Sequence, residues 1–324
     1  NIRILAAAMV EKAKSGHPGG SMSGADFVQV LYSEFLIHDP ENPCWEARDR
    51  FFLDPGHMSP MLYAQLCMTG HFTMDELKQL RQWGSVTPGH PERNVERGIE
   101  NTSGPLGQGH TFAVGAAIAA KWFNARYGEI HNPTIYAFIS DGGIQEEISQ
   151  GAGRMAGHLK LDNLIMYYDS NEIQLSTSCN EVSSENVAMK YEAWGWYVQD
   201  IDGHDPEAIR QAIINAQNET SRPSLIIGHT SVGKGCVNAE GESWEGKTST
   251  HGQPLSKSGA SFEATVKNLG GDPENPFQIF PDVQVLYDKR AEELREITNQ
   301  RYAAYHEWAT ANPLAANEYE TFMR

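Results

Sequence analysis

Cysteine is scarce and badly placed for cross-linking: Cys44, Cys67, Cys179 and Cys236 are scattered through 324 residues with no C-x-x-C spacing. Neither a disulfide framework nor a zinc site is indicated, and a reduced, cytoplasmic setting is expected. Positive charge is also short, with 25 Lys and Arg against 42 Asp and Glu, a net charge of -17 and a pI near 5.1. A chain this acidic lacks the basic face that nucleic acid or an anionic membrane would attract, so neither partner is expected. No apolar run approaches the ~18 residues of a membrane span, and no secretory pattern opens the chain. There is no internal repeat. The first residue is Asn1 rather than Met, already inside a helical pattern, which reads as a fragment or a processed product.

What is present is an alternation of helix-period segments and short apolar β runs, the signature of an α/β fold with a parallel sheet flanked by helices. Ile2 to Lys14 and Gly24 to Ile37 read as helices separated by a Gly/Pro break at Gly16 to Gly20. Leu106 to Tyr127 reads as a long helix, and its small apolar centre from Ala113 to Ala120 predicts burial. Glu185 to Trp194 and Pro206 to Asn218 read as helices, Trp196 to Ile201 and Ser224 to Thr230 as strands. Val232 to Pro281 dissolves into Gly, Ser, Thr and Pro and reads as loop and linker. A charged helix from Tyr287 to about Ala311 follows.

The densest chemical signal lies between Thr134 and Ile173. One β run, Thr134 to Ile139, ends in Ser140-Asp141-Gly142-Gly143; a second, Leu164 to Tyr168, ends in Asp169-Ser170-Asn171. A helix joins them, so the strands are predicted to be parallel and to open on the same sheet edge. Asp141 and Asn171 are hard oxygen donors beside a helix N-terminus. That combination suits Mg²⁺ or Ca²⁺ bridging to a diphosphate. Gly142 and Gly143 would let backbone approach such a group closely.

Four further clusters set a histidine in a Gly/Pro turn: Ser15-Gly16-His17-Pro18-Gly19, Asp54-Pro55-Gly56-His57, Thr87-Pro88-Gly89-His90-Pro91-Glu92 and Ser249-Thr250-His251-Gly252. A fifth, Ser103-Gly104-Pro105-Leu106-Gly107-Gln108-Gly109, opens the small-residue helix. Singly, each reads as a surface turn. Together, on an open parallel sheet, they point to one crevice where imidazoles contact phosphate and sugar oxygens and move protons. No two of these histidines have the H-x-x-x-H spacing of a metal pair.

These motifs together resemble transketolase, over essentially the whole chain: the N-terminal thiamine-diphosphate (diphosphate-binding) domain, residues 1–260, followed by a linker segment with a C-terminal helix, 261–324, that leads to a missing pyrimidine-binding domain. The resemblance implies the family's α/β thiamine-diphosphate-binding fold, with thiamine diphosphate and Mg²⁺ (or Ca²⁺) as cofactors. Asp141, Asn171 and the Ile173 carbonyl would ligate the metal; His57, Gly104, Leu106, Gly142, Glu146, Asn171 and His251 would serve cofactor binding. Glu146 matches an acid of a carboxylate network at the family's dimer interface. His17, His90 and His251 would serve catalysis at the sugar. The implied reaction moves a two-carbon ketol unit from a ketose phosphate to an aldose phosphate in the pentose phosphate pathway, in a homodimer. Two positions depart from the family pattern: Ser140 stands where Gly is usual before Asp141, and Glu172 where Gly usually follows Asn171. Glu172 adds negative charge beside the metal position and is repulsive there if it turns inward. The alternatives are a cofactor-binding or assembly module inactive without its pyrimidine-binding half, the N-terminal subunit of a split transketolase, and dihydroxyacetone synthase.

Overall fold

The computed structural model describes residues 1–323. Helices α1 (Ile2–Ala13), α2 (Pro18–Ser23) and α3 (Ala25–Val30) precede strand β1 (Arg50–Leu53). Next come α4 (Ser59–Met68), α5 (Met74–Leu77) and α6 (Gln108–Tyr127), then β2 (Ile135–Ser140), α7 (Asp141–Gln145), α8 (Glu147–Leu159) and β3 (Leu164–Ser170). The units α9 (Val187–Ala193), β4 (Tyr197–Asp202), α10 (Pro206–Asn218) and β5 (Ser224–His229) follow. Four helices close the described chain: α11 (Leu255–Ser258), α12 (Phe262–Asn268), α13 (Pro281–Ala311) and α14 (Pro313–Met323).

The five strands form one sheet in the order β1-β2-β3-β5-β4, with every pair parallel. The central strands are apolar on both faces because both are covered. On one face Phe138, Tyr167 and Ile226 pack with Phe27 of α3, whose ring stacks on Tyr167 at 3.9 Å between centroids. On the other, Ile139, Met166 and Tyr168 pack against Ala113 and Ala117 of α6 and Trp196. Register sets Ser140 beside Asp169 and Ser170 beside His229, so the carboxyl ends of β1, β2, β3 and β5 share one edge. The parallel sheet and its common edge agree with the sequence reading.

Several local expectations are corrected. The Gly16 to Gly20 break holds only at its start: α2 begins at Pro18, whose fixed φ suits a first helical position. The Gly24 to Ile37 helix becomes α3 followed by a π-helical turn, Leu31–Phe35, in which Leu36 N–H donates to the Leu31 carbonyl at 2.8 Å. Helix α6 starts at Gln108 and is buried on one side only; Phe112 and Trp122 on its other side are each 46% exposed. The 232–281 stretch is not wholly loop, since α11 and α12 lie within it. Among the described residues, no helix is long and apolar enough to cross a membrane.

Candidate active site

Asp141 and Asn171 stand where strands β2 and β3 stop, and His57 lies just past the end of β1. β2 ends at Ser140, whose Oγ accepts the Gly143 N–H at 3.4 Å and so caps α7. The departure at Ser140 therefore has a local use: its side chain satisfies a helix-start donor. Asp141 follows, 2% exposed. Its Oδ1 accepts from Tyr168 Oη at 2.6 Å, and its Oδ2 accepts the N–H groups of Asn171 and Glu172, both at 3.1 Å. Burial outweighs these bonds and pushes the Asp141 carboxyl up to about 6.

Asn171 is oriented by a residue the sequence reading passed over. Asp169 is buried at the end of β3, and its Oδ1 accepts from Thr230 Oγ1 at 2.5 Å. Its Oδ2 accepts from Ser23 Oγ at 2.8 Å and from Asn171 Nδ2 at 2.9 Å. With the amide nitrogen taken, Asn171 Oδ1 is left as the acceptor, here receiving the Ile173 N–H at 3.1 Å. Asp141, at the start of α7, is thus tied by the Asn171 and Glu172 N–H groups to the loop after β3 that carries Asn171 and Ile173. Glu172 adopts a left-handed φ of 63° and is exposed, so its charge turns outward.

The donor set fits a hard cation that shares its shell with a bound ligand. Among the described residues no three His, Cys, Asp or Glu side chains cluster as a metal cage. A carboxylate, an amide oxygen and a carbonyl leave positions for diphosphate oxygens and water, as Mg²⁺ sites usually do. The backbone around them is bare. A Cβ built on Gly104 would meet nothing within 4 Å, and one on Gly142 would meet only Leu106 Cδ1, at 2.9 Å. Leu106 thus lies against the Gly142 backbone, and Gly104 leaves its backbone open to approach. Gly107, with φ of 86°, lets the loop turn into α6, and a Cβ there would strike Ile148 and Glu146. Glu146 itself is exposed at the joint between α7 and α8, beside this loop.

A second missed carboxylate anchors the loop. Asp54, 0% exposed at the end of β1, accepts the N–H groups of Gly109 at 2.9 Å and His110 at 3.4 Å through Oδ1. Burial chiefly, with the charge of Glu146 among the smaller causes, raises Asp54 to about 6. In the sequence it is only the first residue of an Asp-Pro-Gly turn.

The histidines converge. Ring centroids of His17 and His57 lie 5.0 Å apart, His57 and His251 5.3 Å, His17 and His251 5.7 Å. His17 precedes Pro18 in an extended conformation, His57 lies in the helical turn Gly56–Met58 after β1, and His251 ends the turn Thr248–Thr250. The His90 loop is tied down by Ser59 Oγ, which donates to the Gly89 carbonyl, and by Tyr63 Oη, which donates to Pro88, both at 2.9 Å. His90 is exposed but close enough to lower the proton affinity of His17 and His57. Burial lowers His17, to about 4, His57 and His251, while partial desolvation and then the Arg81 charge lower His90 at its more open position, so all four are neutral at pH 7, each with one donor and one acceptor nitrogen. Leu175, just beyond the Asn171 loop, touches the Gly252 position, joining the two halves of the site. Arg81, carried by no motif, donates to His17 Nδ1 at 3.3 Å.

The chain matches the family model "Transketolase, thiamine diphosphate binding domain" over residues 1–324. It is similar to transketolase 1 of Escherichia coli (strain K12), with 41% identity over 331 residues, 100% of this chain and 48% of that protein. Among solved structures, transketolase from Leishmania mexicana superposes with a TM-score of 0.91 at 35% identity, covering 98% of this chain and 47% of that one. A transketolase from Pichia stipitis in complex with sedoheptulose 7-phosphate gives 0.93 at 32% identity, covering 99% and 47%. The chain thus spans about half the length of the relatives it matches. On family match, identity and fold alike, the chain belongs to the transketolase family, as its thiamine diphosphate binding domain.

Proposed function

We propose that this chain is the diphosphate-gripping half of a transketolase, transferring a two-carbon ketol unit from a ketose phosphate to an aldose phosphate in the pentose phosphate pathway. What supports the reading is that Asp141 and Asn171 follow the ends of adjacent parallel strands, while His17, His57 and His251 converge and Leu175, four residues past Asn171, meets the Gly252 position beside His17. Asp141, Asn171 and the Ile173 carbonyl would hold Mg²⁺ or Ca²⁺, with His57, Gly104, Leu106, Gly142 and His251 along the cofactor. Thiamine diphosphate, when bound, supplies the nucleophilic carbon and the electron sink for breaking the ketose C2–C3 bond. The protein's part is orientation and proton transfer. Neutral His17 and His90 orient the donor's hydroxyls, and His251 moves a proton between the sugar and its neighbours. That a related transketolase was solved with sedoheptulose 7-phosphate supports a ketose phosphate as donor.

A homodimer belongs to the same reading. Phe112, Ile118 and Trp122 on α6 and Ile148, Met155 and Leu159 on α8 form two exposed apolar stripes, with Glu146 at their edge. Surface of this kind marks an association face. The four cysteines are free, which accords with the cytoplasm. The test is a ketol-transfer assay with Mg²⁺ and thiamine diphosphate, on this chain alone and mixed with a pyrimidine-binding chain. Turnover is expected only in the mixture, because half a site cannot bind the transition state differentially. Appreciable turnover by the chain alone would refute the half-site reading, and none in either would refute transketolase.

A further inference from the structure

Among the described residues, Arg81 is the one strong cation that reaches the histidine cluster by a hydrogen bond, and its bonding partners have a chemical consequence. Its Nη1 donates to Ser15 Oγ at 3.0 Å and its Nη2 to His17 Nδ1 at 3.3 Å. A guanidinium has five N–H donors and no acceptor. The His17 Nδ1 it meets must therefore present a lone pair, and the ring's proton must sit on Nε2. That edge faces the backbone of the His251 loop: a Cβ built on Gly252 would lie 3.5 Å from His17 Nε2. The guanidinium is itself held in place. Arg81 takes a left-handed φ of 60° while its N–H donates to the Thr87 carbonyl at 3.0 Å. A Cβ on Gly89 would come within 2.6 Å of Arg81 Nε, so the Thr87 to His90 loop lies directly on the side chain. A non-glycine residue in this backbone region is strained, and such strain persists only where surrounding contacts enforce it.

We propose that Arg81 is a positioning residue that fixes His17 as the Nε2–H tautomer, making His17 a hydrogen-bond donor toward the bound sugar while bracing the Ser15 to Pro18 loop against the Thr87 to His90 loop. The sugar-facing part of this assignment rests on the transketolase reading above; the tautomer does not. Lysine at position 81 would retain a donor and a charge, methionine neither.

The experiment is ¹⁵N NMR of the whole protein with labelled histidine side chains, His17 being assigned from the spectrum of His17→Gln. In the unsubstituted protein Nδ1 is expected in the unprotonated range and Nε2 in the protonated range between pH 8 and pH 5. Arg81→Met should mix the tautomers and raise the pH at which His17 titrates, since burial, His251 and His90 would then lower it without Arg81. Arg81→Lys should restore the single tautomer. In ketol transfer Arg81→Met should raise KM for the ketose about tenfold, the worth of one hydrogen bond, with kcat moved less and Lys rescuing most of the loss. An Nδ1–H tautomer in the unsubstituted protein, or an Arg81→Met spectrum identical to it, would overturn the assignment. The first of these readings needs no Arg81 variant to fold. A fixed Nε2–H tautomer that responds to Arg81 in a protein without ketol transfer would support Arg81's role and reject the transketolase reading instead.

Discussion

Asp54 shows how far a single side chain can depart from its appearance in the sequence. As the first residue of Asp-Pro-Gly it reads as turn punctuation; folded, it is fully buried, with Oδ1 on the α6 N-terminus and Oδ2 without a hydrogen-bond partner. Nothing local in the sequence distinguishes these cases, because its burial depends on α6 arriving 55 residues later. Its carboxyl is raised from 3.8 to about 6. The folded state then binds the proton more tightly than the unfolded chain between those values, so stability falls as pH rises through that window and levels off above it. The full difference is on the order of 3 kcal/mol. Asp54→Asn keeps an acceptor for Gly109 and removes the charge. It should be more stable than the parent protein at pH 7.5, with the two curves converging near pH 4, as read from urea midpoints. Asp49 and Asp141 are raised to about 6 as well, so the parent's slope will flatten in the variant without vanishing. Asp54→Ala, which loses the cap, should fall about 1 kcal/mol below Asp54→Asn at every pH. Equal pH slopes in the parent and the Asn variant would show that Asp54 is ionised at no net cost.

Among elements, the Ser103 to Gly109 loop and α6 separate glycines that serve folding from glycines that serve binding. A Cβ on Gly109 would sit 2.5 Å from Asp54 Cα, which is backbone and has nowhere to go. Gly109→Ala should therefore cost about 2 kcal/mol or more through forced displacement of β1 against α6, measurable by thermal unfolding. Gly104→Ala meets nothing within 4 Å and should leave the melting temperature unchanged. If the open backbone at Gly104 meets a diphosphate, the same substitution should weaken thiamine diphosphate binding at least tenfold by calorimetry; unaltered affinity would remove Gly104 from the cofactor's lining. The motif itself was legible, since Gly-Pro-Leu-Gly-Gln-Gly stands out at sight, whereas the flanking elements were less so. All ten residues of α4 are buried, which erases the period that marks an amphipathic helix. Helix α6 misleads in the opposite sense: small apolar residues run round it, and periodicity cannot tell the side packed on β2 from the side facing solvent. β1, four residues long, falls below what alternation can detect.

At the scale of the whole molecule, the parallel sheet was readable from its alternation of helix and strand, and it explains why loops some 230 residues apart, at His17 and His251, meet. Apart from Glu146, which the resemblance sets at the family's dimer interface, the sequence carries no sign of which outer surface another subunit would cover. The fold exposes two apolar stripes side by side, with Phe112 at 46%, Ile148 at 49% and Met155 at 52% exposed. None of the three completes the sheet's own core, so replacing them tests association more than folding. Ile148→Glu with Met155→Glu removes apolar area worth about 3 kcal/mol if both are fully covered, and it sets charges in a dry interface. If the proposed homodimer uses this face, the whole protein carrying both substitutions should associate at least a hundredfold more weakly than the parent by sedimentation. Ketol transfer should fall with it, because Glu146 begins the same helix surface and the family's carboxylate network crosses a dimer interface. The circular dichroism spectrum and urea midpoint of the isolated chain should stay near those of the parent. An unchanged sedimentation coefficient with full activity would move the interface off α6 and α8, and Glu146 would then have no partner subunit to face.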